Sequence, residues 1–187
     1  MACDILLIDT LSTLRVEKGF ISPSVETAQL SGFLEREGFC FEVAFAVPRD
    51  DGQIDIMQKN KVVSGAFPGL LQDLSPRIIV FYHYPELVHL VFAVQQAARA
   101  VLPDCVFCIS GITCCALPQP YFDRGFQYVV GQDIYISFVS LAKKIIEGHP
   151  PKAGLYRVSQ QRYDLDLFPF VSMKFYENVI PEWLFAN

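Results

Sequence analysis

The sequence predicts a doubly wound α/β fold of the Rossmann-like, flavodoxin-like kind. The expected core is a five-stranded parallel sheet in the order 2-1-3-4-5, followed by a C-terminal extension. Three observations predict it. Residues 78–82 (Ile-Ile-Val-Phe-Tyr) and 106–109 (Val-Phe-Cys-Ile) are continuous apolar runs, and 128–130 (Tyr-Val-Val) is a shorter one; strands buried on both faces of a parallel sheet have this pattern. Helical segments alternate with the runs, so the connections are βαβ crossovers. Ligands of such sheets bind outside the carboxyl ends of the strands. That directs attention to the turns at 83–85, 110–113 and 131–133, two of which carry glycine.

Each element follows in order. Residues 4–8 (Asp-Ile-Leu-Leu-Ile) form the first strand, with Asp9-Thr10-Leu11-Ser12-Thr13 as the loop at its carboxyl end. Ser22 and Pro23 supply an N-cap and a first-turn proline for a helix over 23–37. Its apolar stripe is Val25, Ala28, Leu30, Phe33 and Leu34, and Gly38 stops it. Residues 39–46 are the second strand. The stretch 47–65 is polar, with Asp50-Asp51-Gly52 as a turn; within it, 54–58 fits a short helix or a strand. A short helix covers 68–74, and the third strand follows. Residues 85–101 are a helix bounded by Pro85 and Pro103. The fourth strand is 104–109, one helical turn covers 118–123, the fifth strand is 127–130, and the last helix is 133–147. His149-Pro150-Pro151 then marks a boundary between a domain of residues 1–148 and an extension of residues 149–187.

Composition narrows the function classes. The 187 residues are 52% hydrophobic and 19% charged, enough apolar material for a sizeable core. A net charge of −5 with scattered Lys and Arg gives no footprint for nucleic acid. No apolar run is long enough to span a bilayer, and no secretory signal precedes the first strand. Six cysteines in this setting point to a reducing cytoplasm. Cys105 and Cys108 have metal or redox spacing on paper, but inside a strand residues three apart face opposite ways. Cys114-Cys115 fits a thiol-rich loop better than a vicinal disulfide.

Enzyme motifs are missing. There is no phosphate-loop, dinucleotide or nucleophile-elbow signature, and the first βα loop has no glycine before Gly19. Asp4 and Asp9 suggest a response regulator's acidic pocket. That fold needs an Asp ending its third strand and a Lys ending its fifth, where this chain has His83-Tyr84 and Gly131-Gln132. No residue is assigned a catalytic role.

The order of the remaining motifs carries a resemblance. Ile5-Leu6-Leu7-Ile8 opens the chain; Pro23 leads a helix that ends in Leu34-Glu35-Arg36-Glu37-Gly38-Phe39. Ser110-Gly111-Ile112-Thr113, then Leu117-Pro118-Gln119, follows the fourth strand, and Tyr128-Val129-Val130-Gly131-Gln132-Asp133 makes the fifth and its turn. Gly154-Leu155-Tyr156-Arg157 and Asp166-Leu167-Phe168-Pro169 come after the last helix. In this order they resemble the N-terminal cobalamin (B12)-binding domain of B12-dependent radical S-adenosylmethionine (SAM) enzymes. The likeness covers nearly the whole chain. It departs from the family where a Gly-Gly pair becomes Ser110-Gly111 and a Glu becomes Gln132. The Cys-x-x-x-Cys-x-x-Cys triplet that holds an iron–sulfur cluster is absent, as is the cobalt-ligating Asp-x-His-x-x-Gly.

The resemblance implies cobalamin as cofactor, with no iron–sulfur cluster in this chain. The corrin would rest on Leu11, Tyr82 and Tyr84, with Thr10, Ser12, Thr13 and Thr113 offering hydroxyls and backbone groups. The nucleotide tail would pass Ser110-Gly111 and Gly131, with Gln132 beside it. Gly111 and Gly131 also read as ordinary turn glycines. His83 reads as an axial partner of cobalt or, preferably, as a half-buried histidine among Phe81, Tyr82 and Tyr84. No set of protein metal ligands is expected. Two functions follow: a cobalamin-binding module serving a radical SAM partner of the methyltransferase type, or a degenerate, cofactor-free fold acting as a structural subunit. The aromatic stretch 163–185 is expected to face that partner, or a second copy, with Phe175 and Trp183 as anchors.

Overall fold

The computed structural model describes residues 3–10, 24–49, 51–59, 61–82, 85–131, 133–158, 169–172 and 174–175. Among these, eight strands form one sheet: β1 (Ile5–Thr10), β2 (Phe41–Pro48), β3 (Ile54–Gln58), β4 (Lys61–Val62), β5 (Ile78–Tyr82), β6 (Val106–Ser110), β7 (Tyr128–Val130) and β8 (Gly154–Tyr156). The helices are α1 (Val25–Arg36), α2 (Phe67–Leu74), α3 (Val88–Val101), α4 (Ile112–Ala116), α5 (Gln119–Phe122) and α6 (Ile134–Ile146). The strands lie in the order β4-β3-β2-β1-β5-β6-β7-β8. The segment β2-β1-β5-β6-β7 is parallel throughout and has the expected 2-1-3-4-5 order. The strand count is larger than five. β8 adds a parallel strand beyond β7, and β3 and β4 add an antiparallel pair beyond β2. The stretch 54–58 is thus a strand, and the sheet continues past Gly148.

The reason for the doubly wound form is visible in β1, whose six residues are all buried. Ile5 and Leu7 face α1 and α6, while Leu6 and Ile8 face α2, α3 and α5. Each fully buried side chain of this size stabilises by roughly 1.5–3 kcal/mol, so both faces must be covered. Cys108 and Cys105 fall on opposite faces, as strand alternation requires, and burial pushes the Cys105 thiol up to about 12.

Local details differ from the sequence reading where short polar groups decide them. Helix α1 is capped by Ser24, whose Oγ accepts from Thr27 N at 3.0 Å; Ser22 and Pro23 lie outside the described residues. Val25, read as part of the apolar stripe, is 67% exposed. Gly38 ends the helix at φ +77, with Phe39 N donating to Leu34 O and Gly38 N to Glu35 O, the paired bonds of a Schellman cap. Cys114 and Cys115 lie on α4 and not on a loop, and both are free thiols.

The extension packs back on the domain. A Cβ on Gly32 would come within 2.2 Å of the Phe170 carbonyl oxygen, so α1 accepts this backbone only at a glycine. Ser172 N donates to Ser31 Oγ, and Phe175 meets Phe45 edge-on at 6.2 Å while only 2% exposed. Phe175, expected to anchor a partner, is spent on the domain's own core. Trp183 and most of 163–185 lie outside the described residues.

Candidate functional site

The chain runs from β1 to β2 on one side, then crosses to β5 on the other side of β1. The carboxyl ends of β1 and β5 therefore flank a topological switch point, the place where helices diverge and leave a crevice. A cleft of about 560 Å³ lies beside it. Tyr82 and Ser110 end its strands, Gly111, Ile112, Cys115 and Ala116 form one wall, and Glu26, Asp133, Ile134 and Tyr135 form the other. Beneath it, Tyr82 and Ile134 also bound a small apolar recess of about 10 Å³ under α1, closed by Leu7, Ile8, Thr27, Leu30 and Val80.

The walls are built from helix starts. Asp133 caps α6, its Oδ1 accepting from Tyr135 N at 3.1 Å and Ile136 N at 3.3 Å. That places Tyr135 in the first turn, stacked on Phe33 of α1 at 5.2 Å and 5°. Burial, then the nearby carboxylates of Glu26 and Asp133, push the Tyr135 phenol up to about 12. The other wall starts at Gly111, whose φ of 149° is one that side chains rarely adopt. Cys114 Sγ donates to Gly111 O at 3.1 Å and Cys115 Sγ to Val130 O at 3.3 Å, which pins α4 to the sheet. A hydrogen bond with Cys115, together with burial, raises the Cys114 thiol far above its ordinary range. Ile112 is 88% exposed at the lip. The described lining carries two carboxylates and no Lys or Arg. This suits a neutral or cationic ligand with amide donors and opposes a polyphosphate.

Of the expected residues, Tyr82, Ser110 and Gly111 line the cleft. The other expected residues fall differently. Thr10 is fully buried and donates its hydroxyl to Tyr82 O at 3.2 Å, fastening β1 to β5. The Ser110 hydroxyl donates to Val130 O at 2.9 Å. Thr113 lies on α4 outside the lining residues. At Gly131 a Cβ would meet Leu155 Cδ1 at 3.2 Å and Cys115 Sγ at 3.5 Å. Its smallness serves the packing of β8 and α4, and its N–H donates to Tyr156 O. Leu11, Ser12, Thr13, His83, Tyr84 and Gln132 lie outside the described residues. Glu26, Ile134 and Tyr135 were missed because they belong to first turns of helices, which periodicity reads only as core or surface; the Asp133 cap was the available signal.

No protein-family model and no curated protein matches the chain. Among solved structures, it is similar to the cobalamin-dependent S-adenosylmethionine radical enzyme OxsB with aqua-cobalamin bound, at TM-score 0.57 and 14% identity over 80% of this chain. The same enzyme with aqua-cobalamin and S-adenosylmethionine bound gives TM-score 0.54 and 13% identity. The chain spans 19% of the length of each. At this identity the likeness establishes a shared Rossmann-like fold.

Proposed function

We propose that this chain is a cobalamin-binding module or subunit that serves a radical SAM partner of the methyltransferase type. The observation that carries the reading is the cleft at the carboxyl ends of β5 and β6, walled by Tyr82, Ile112, Ile134 and Tyr135 and underlain by the recess beneath α1. A broad apolar disc with amide arms suits these walls. Tyr82 and Tyr135 offer flat faces, and the Glu26 and Asp133 carboxylates are acceptors for amide N–H groups. Similarity of fold to an enzyme solved with aqua-cobalamin supports the same cofactor class.

When bound, methylcobalamin would supply a methyl group carried on cobalt. This chain's own residues would do the holding. Tyr82, Ile112 and Tyr135 would shield the ring from water. Glu26 and Asp133 would orient its arms. Radical chemistry would belong to a partner, a role supported by the neighbours being far longer chains whose names include it.

A cofactor-free structural role has one observation in its favour. The route past Gly131, expected to admit a nucleotide tail, meets Leu155 and Cys115. Reconstitution separates the two. Protein mixed with hydroxocobalamin and desalted should retain the corrinoid near one equivalent, with a shifted visible spectrum. Complete loss of colour on desalting would leave the structural reading in its place.

A further inference from the structure

Asp9 belongs to no expected site, yet it is fully buried at the carboxyl end of β1. A buried carboxylate needs donors aimed at it. One is the backbone N–H of Ser24, which donates to Asp9 Oδ2 at 2.8 Å across a separation of 15 residues. Ser24 is itself the N-cap of α1 and is 1% exposed. The bond therefore fastens the start of α1 to the end of β1, and the carboxylate sits where the positive end of the helix dipole favours it. The first turn it fixes carries Glu26, which lines the cleft, and Thr27, which lines the recess. Tyr82, common to the cleft and the recess, is Asp9's register partner on β5.

We propose that Asp9 is a positioning residue of the cleft: its carboxylate sets where the first turn of α1 stands, and so where Glu26 meets a ligand. It touches no ligand itself. This inference rests on the corrinoid-binding reading, and its consequence is read at the bond between Asp9 and Ser24. Asp9→Asn keeps an acceptor oxygen in place, whereas Asp9→Leu removes it. The bond can also be cut from the donor side. Ser24 has φ −69, within the range proline fixes, so Ser24→Pro removes the N–H, and its ring Cδ takes the place of the bonded hydrogen and displaces the Asp9 carboxylate. Ser24→Ala removes the hydroxyl cap but keeps the N–H.

The experiment measures hydroxocobalamin affinity and amide exchange over residues 24–30 in all four variants of the full chain. Asp9→Leu and Ser24→Pro should each bind at least about 10-fold more weakly, as expected for loss of a hydrogen bond to a charged group, and should exchange faster over the first turn of α1. Asp9→Asn, which keeps an acceptor but not the charge, should fall between the wild type and Asp9→Leu, and Ser24→Ala should stay within about threefold, since it loses only an N-cap. If Asp9→Leu fails to fold, the comparison of Ser24→Pro with Ser24→Ala decides alone. Equal affinity in Ser24→Pro and Ser24→Ala overturns the inference, even where exchange differs. A wild-type chain that takes up no corrinoid overturns the functional reading and this inference together; a binding wild type with indifferent variants overturns this inference alone.

Discussion

Two clefts of nearly equal size stand at opposite ends of the sheet. The one at the carboxyl ends has a volume of about 560 Å³; the other, at the amino ends of β5 and β6, has about 540 Å³. The amino-end cleft is lined by Ser75, Pro76 and Arg77, by 101–106, and by Ile145 of α6. Arg77 Nη2 donates there to the Ile145 carbonyl at 3.2 Å, satisfying a group at a helix C-terminus. Its walls are helix ends and the chain's re-entry into strands. The carboxyl-end cleft has helix starts, an N-capping carboxylate, a stacked tyrosine and a switch point. Volume does not distinguish them. Chain direction does, because it fixes which ends of helices and strands face each cavity.

The strongest way to break this contrast is to fill each cleft in turn. Ala116 is exposed on the wall of the carboxyl-end cleft, so Ala116→Trp should fold normally and weaken hydroxocobalamin retention about 100-fold or more. Leu102→Trp in the amino-end cleft should leave retention within about twofold. Equal losses from both, read by equilibrium dialysis, would remove the distinction.

A smaller effect comes from two glycines with positive φ. Gly111 (φ +149) opens the wall of the carboxyl-end cleft, and Gly148 (φ +82) follows α6 near the other. Alanine at either should cost about 1–3 kcal/mol of stability in denaturant titration, because the backbone there is strained for any side chain. Only Gly111→Ala should also lower corrinoid affinity.

The mildest test leaves the sequence alone and changes pH. Tyr135 lines one cleft and Cys105 the other, and burial pushes each up to about 12. Both groups are held neutral by the fold. Their contribution to stability is complete below the unfolded values, ordinarily 9.0 for the thiol and 10.0 for the phenol, and is lost as pH rises through about 12. Thermal midpoints should therefore begin to fall near pH 9. Cys105→Ala should make the earlier part of the decline shallower, with the buried thiols of Cys3, Cys108 and Cys114 still contributing, and Tyr135→Phe should make the later part shallower, with Tyr121 and Tyr128 still contributing.

The parallel core was legible because its strands are written as apolar runs, which only a two-faced sheet can bury. The antiparallel pair β3–β4 was not, since Ile54-Asp55-Ile56-Met57-Gln58 alternates within a polar stretch and only its register against β2 decides its form. Helix α4 escaped because five residues of Ile, Thr, Cys, Cys and Ala carry no cap or period. At the site, Ser110 and Gly111 were pointed to by the end of the fourth strand, whereas Tyr82 was named only through the resemblance. Gly131 looked like ligand space, but its neighbour Leu155 comes from a strand 24 positions later, a distance no local pattern spans. Asp9 was assigned to no site for the same reason: its partner Ser24 is set by how α1 returns over the sheet.

The seat of the C-terminal segment on α1 has a consequence for how the protein is made. Ser172 meets Ser31 across 141 residues, and Phe175 covers Phe45 of the second strand. On a ribosome, that aromatic face emerges about 130 residues before its cover, at roughly 5–20 residues per second. For several seconds the nascent chain therefore carries an open apolar surface beside β2. Its natural companions in that interval are chaperones, or the same surface on a neighbouring nascent chain.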